Sequence, residues 1–72
     1  MKKIKLSDGK TIAMRKPKVK DIKAVSHIKD DEEKEIMLFA NLTETDPSEI
    51  EDMFLEDYTK LQEAYTGLAY GM

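Results

Sequence analysis

Lys3-Ile4-Lys5-Leu6-Ser7-Asp8-Gly9-Lys10-Thr11-Ile12-Ala13-Met14-Arg15 holds two short runs that alternate with period two, parted by turn-forming residues. This pattern predicts a β-hairpin over about 3–15. The faces decide the length of its turn. A two-residue Asp8-Gly9 loop pairs Leu6 with Thr11 and Ile4 with Ala13, which strands Ile12 and Met14 beside Lys5 and Lys3. A three-residue Ser7-Asp8-Gly9 loop pairs Leu6 with Lys10 and Ile4 with Ile12. Ile4, Leu6, Ile12 and Met14 then share one side, and Lys3, Lys5, Thr11 and Arg15 the other. Register follows the buried face, so the expectation is a type I turn closed by a left-handed Gly9. A lone hairpin is barely stable in water. Its apolar face must therefore rest on whatever the rest of the chain builds.

Downstream of the hairpin the pattern turns helical. Lys16-Pro17 ends the second strand, because a residue before proline prefers extended geometry. Val19, Ile22, Val25 and Ile28 recur every three residues and predict an apolar face on a first helix at about 18–29, with Asp21 in its first turn. Asp30-Asp31-Glu32-Glu33 gathers acids at the positive end of a second helix at about 31–43. Its body, Ile36-Met37-Leu38-Phe39-Ala40, is apolar nearly all round, as expected of a helix buried on most sides. Thr45-Asp46-Pro47-Ser48-Glu49 is a helix start, with Asp46 as cap and Pro47 at the first helical position. It predicts a third helix at about 47–55, with Ile50, Met53 and Phe54 on one side. Asp57 reads as a fresh cap for a fourth helix at about 57–70, stopped near Gly71. The spacing of positions 50, 54, 58, 61, 65 and 68 also fits one unbroken helix. The expected architecture is α+β: an N-terminal hairpin packed on three or four short helices in a single domain, residues 1–72.

Size and charge narrow the function. A chain of 72 residues buries only about 60% of the surface that its unfolded form exposes. A partner or self-association into a homo-oligomer is a reasonable expectation at that size. There is no cysteine, which excludes disulfides and thiolate metal sites. No segment approaches the roughly 18 to 20 apolar residues that span a bilayer. The N-terminus lacks the apolar run of a signal peptide, so no membrane partner and a cytoplasmic location are expected. Residues 1–29 carry ten Lys or Arg against Asp8 and Asp21, a net +8, and residues 30–72 carry two against thirteen acids, a net −11. A basic first half suggests a small nucleic-acid-binding regulator that uses the hairpin as an alternative function. The aromatics Phe39, Phe54, Tyr58, Tyr65 and Tyr70 all lie in the acidic half, which weighs against nucleic acid. The simpler reading is that the two halves attract each other, or a neighbouring copy head to tail.

No set of residues points to catalysis. His27 is the only histidine, and alone it cannot build a zinc site. Four consecutive acids at Asp30 to Glu33 lack the spaced ligands and glycine turn of a calcium loop. Ser7, Ser26 and Ser48 have turn, helix-face and capping roles, and no base stands beside them. The expectation is no enzyme, no cofactor and no metal. What remains is adhesive surface. The stripe Tyr58, Leu61, Tyr65 and Leu68, extended by Met72, is either the face that packs the last helix on the core or the edge of a partner-binding groove.

The order of these signals resembles a known family. A lysine-rich hairpin with an Asp8-Gly9 turn leads into Arg15-Lys16-Pro17-Lys18-Val19-Lys20-Asp21-Ile22 and an acidic linker. Ala40-Asn41-Leu42-Thr43, Asp46-Pro47-Ser48-Glu49-Ile50-Glu51-Asp52-Met53 and Asp57-Tyr58-x-x-Leu61 follow. From residue 4 to about 68 this is similar to the small tail assembly chaperones of tailed phages and prophages, which include E-type proteins. The resemblance implies a protein of the bacterial host cytoplasm that is absent from the mature virion. It would bind the tape measure protein and keep it soluble during tail assembly. Some family members also occur as a longer frameshifted form, which implies the tail tube protein as a further partner. No catalytic residue is implied.

Overall fold

Ile4 stands opposite Ile12 in an antiparallel ladder that joins β1 (Lys2–Lys5) to β2 (Thr11–Met14). This is the register expected from the apolar face. A computed structural model describes residues 1–71. Beyond the ladder the Leu6 amide donates to the Lys10 carbonyl at 2.8 Å and the Gly9 amide to the Leu6 carbonyl at 3.0 Å. The loop is thus Ser7-Asp8-Gly9, and Gly9 takes φ +92°, a value that glycine adopts without strain. Ile4, Leu6 and Met14 are buried and Ile12 packs against them. Lys3 and Lys5 face outward.

Four helices follow: α1 (Val19–Val25), α2 (Asp31–Thr43), α3 (Pro47–Glu51) and α4 (Leu55–Tyr70). Together with the hairpin they make an α+β fold. α2 is the central helix. Asp30 caps it by accepting from the Glu32 and Glu33 amides at 2.9 and 3.3 Å, and Leu38, Phe39, Ala40 and Leu42 are buried in the core. The chain leaves β2 through an Arg15 amide that donates to the Leu42 carbonyl at 3.0 Å. This bond ties the hairpin to the last turn of α2. Asp46 caps α3 by accepting from the Ser48 amide at 3.0 Å, with Pro47 in the first turn.

Two local expectations are corrected. α1 is shorter than 18–29 and does not bury the whole Val19-Ile22-Val25-Ile28 series. Each step of three residues rotates the side chain by about 60° short of a full turn, so the series winds around the helix. Val25 reaches the core, while Val19 and Ile22 stay exposed at 78% and 46%. The inward position near the start of α1 belongs to Asp21. It receives both guanidinium nitrogens of Arg15 at 2.7 and 2.8 Å and the Lys18 amide at 2.8 Å. The second correction concerns the last two helices. They are separate, but the break lies at Asp52–Phe54 and the residue at the cap position of α4 is Phe54, not Asp57. Asp57 sits in the first turn of α4 and has another partner, Ser7. Gly71 ends α4 at φ +71°, as the sequence suggested.

Candidate binding surface

The stripe on α4 divides between two roles. Leu61 is fully buried, with Ala64 beside it. Tyr58 and Tyr65 both pack against Phe39 from α2, with ring centroids 5.7 and 5.5 Å away. These tilted contacts add to the apolar burial. The Tyr58 hydroxyl donates to the Glu35 carboxylate, which also accepts from Gln62 Nε2 at 3.0 Å. Burial, with the Glu35 hydrogen bond adding to it, pushes the Tyr58 phenol well above its ordinary range. It therefore stays a donor. Tyr65 and Leu68 are half-buried, and Tyr65 meets the exposed Tyr70 edge-on at 6.5 Å. Met72 lies outside the described residues.

Beside this stripe runs a groove that the sequence reading missed. Its floor is Ile4 from β1 and Ala64, Gly67 and Leu68 from α4, and Lys2, Lys3, Lys5, Lys60 and Glu63 wall it. Its volume is about 570 Å³. Among these, Lys60 is held in place, its Nζ donating to the Lys5 carbonyl at 3.2 Å and pairing with Asp57 at 3.4 Å. The one available signal was Gly67, three residues after Ala64 on the helix. A residue without a side chain leaves room in the wall it lines.

A second region surrounds the α3–α4 corner. A recess of about 420 Å³ is lined by Leu6, Ile12, Met53 and the exposed Phe54 and edged by Asp8, Lys10, Glu49 and Asp52. Leu55 edges a smaller one of about 200 Å³ with Ile36, Ile50 and Met53. His27 is exposed and lines a shallow depression with Ile28 and Met37. Among the described residues no three His, Cys, Asp or Glu side chains gather as a metal would need. Nor is any helix long and apolar enough to cross a membrane.

A hairpin-and-helix fold with apolar, charge-walled grooves open to solvent has the features of a protein-binding module. The family model described as phage tail assembly chaperone proteins, E, or 41 or 14, matches residues 3–69, and the chain belongs to that family. Its general role is accordingly that of a chaperone in phage tail assembly, with protein partners in that process. The chain matches no curated protein and no solved structure.

Proposed function

We propose that this chaperone binds the tape measure protein and keeps it soluble in the host cytoplasm until tail tube subunits assemble around it, and that it is absent from the mature virion. The observation that carries this reading is the groove between β1 and α4. It sets the apolar side chains of Ile4, Ala64 and Leu68 among charged ones, and the stretch of α4 from Lys60 to Leu68 that lines it matches about two turns of a partner helix. An amphipathic helix docks in such a groove through apolar residues spaced by three and four. The walls carry Lys2, Lys3, Lys5 and Lys60 against Glu63, so the preferred segment has acids beside its apolar stripe. Within the α4 stripe, Tyr58 and Tyr65 pack on Phe39 and Leu61 is buried in the core. Leu68 in the groove and the half-buried edge of Tyr65 are left to extend the contact towards the C-terminal end of α4. The chaperone works by binding alone.

Co-expression with the tape measure protein of the same phage tests this. The chaperone should raise the soluble fraction of that protein, and Leu68→Asp or the pair Lys3→Glu and Lys5→Glu should abolish the gain. A tape measure protein equally soluble with and without the chaperone would overturn the proposal.

A further inference from the structure

Two pairs of large apolar side chains stand in solvent at separate places. Val19 and Ile22 form an outward stripe on α1, and Phe54 and Leu55 project from the α3–α4 corner at 71% and 78% exposure. Their surroundings carry opposite charge. Exposed Lys18, Lys20 and Lys23 accompany the first pair, and the recess beside the second is edged by exposed Asp8, Glu49 and Asp52 against a single lysine, Lys10. Local stability does not explain the second pair. Phe54 occupies a helix cap and makes no capping hydrogen bond, at a position where Ser or Asp is strongly preferred. A residue that breaks a local rule and still leaves most of its apolar surface in solvent points to a role outside its own chain.

We propose that the α1 face of one copy docks on the α3–α4 corner of a second copy. Val19 and Ile22 enter the recess beside Phe54, floored by Leu6, Ile12 and Met53, and the lysines meet the acids at its edge. Each copy carries one of each surface, so the contact is heterologous and propagates head to tail into a ring or an open filament. The second copy is favoured as occupant because apolar centre and charged rim are complementary within one sequence. Neither surface includes the β1–α4 groove, so this inference stands or falls separately from tape measure binding.

Sedimentation velocity of the full chain over a range of concentrations tests it. The mass should rise past the dimer with concentration and fall as added salt screens the rim charges. Val19→Ser with Ile22→Ser removes one surface, and Phe54→Ser with Leu55→Ser removes the other. Each double variant alone should associate about tenfold more weakly or not at all, while an equal mixture of the two should form a heterodimer that grows no further. All four positions are exposed, and circular dichroism should show unchanged folding. As a second arm, Lys18→Glu with Lys23→Glu should weaken association, and mixing with Glu49→Lys and Asp52→Lys, both at the edge of the recess, should restore it. A wild-type chain that stays monomeric, a mixture that does not pair, or charge variants that fail to rescue each other would each overturn the proposal.

Discussion

Ser7 donates two hydrogen bonds to the Asp57 carboxylate, from its amide at 2.9 Å and from its hydroxyl at 2.7 Å. These bonds join the hairpin turn to the first turn of α4 across fifty residues of sequence. Asp57 is 4% exposed, and the Ser7 hydroxyl holds its carboxyl below the ordinary carboxylate range. The helix dipole also favours a negative charge at this end of α4.

Asp57→Ala should therefore lower the melting temperature by several degrees, about what the loss of charge-assisted hydrogen bonds costs a domain of this size. Ser7→Ala should do less, since the amide donor survives. Thermal unfolding followed by far-ultraviolet circular dichroism checks both. Equal melting of all three chains would mean that the turn is held by its apolar contacts alone.

Acid should loosen the junction between the hairpin and α1. The Arg15 hydrogen bond, with the Lys18 amide adding to it, lowers the Asp21 carboxyl to about 2. A carboxyl depressed in the folded state stabilises the fold above its unfolded value near 3.8. That contribution fades as pH falls through the folded value. Urea midpoints should accordingly drop between about pH 4 and pH 2, and Asp21→Asn should flatten this dependence while lowering stability at pH 7. Asp57 titrates in the same direction, so some slope persists in the variant.

Phe54→Asp should stabilise the isolated chain. The change supplies the missing cap of α4 and removes an exposed aromatic ring, for a gain of about 1 kcal/mol. Denaturant titration at a concentration where the protein is monomeric measures it. A loss of stability would show that the ring packs on its own chain despite its exposure.

Leu61→Ala and Leu68→Ala should separate folding from binding. Leu61 is fully buried, so its truncation costs about 2–5 kcal/mol and threatens a domain whose whole stability is of similar size. Leu68 is half-buried at the groove, so its truncation should cost less and act mainly on partner binding. Denaturant midpoints for both variants provide the comparison.

The hairpin was legible down to its register, because a two-residue period leaves one arrangement that puts Ile4, Leu6, Ile12 and Met14 together. The span of α2 and the caps at Asp30 and Asp46 were equally clear, since each is a local contest between side chain and backbone. The α1 face was misjudged because a spacing of three looks helical yet drifts off any fixed stripe. The α3–α4 break was misplaced because Asp57 has the chemistry of a cap, and nothing nearby in sequence reveals that Ser7 claims it instead.

Order, type and apolar pairing of the elements, together with the family signature, were determined by the sequence itself, because these depend on neighbours within a few residues. Only the tertiary structure decided that Asp21 turns inward to Arg15, that Leu61 is core while Leu68 edges a groove, and that Phe54 and Val19 are left in solvent. Those outcomes depend on which surfaces remain uncovered once β1, α2 and α4 have packed. A fold of this size has too few layers to cover every apolar side chain that its local patterns supply.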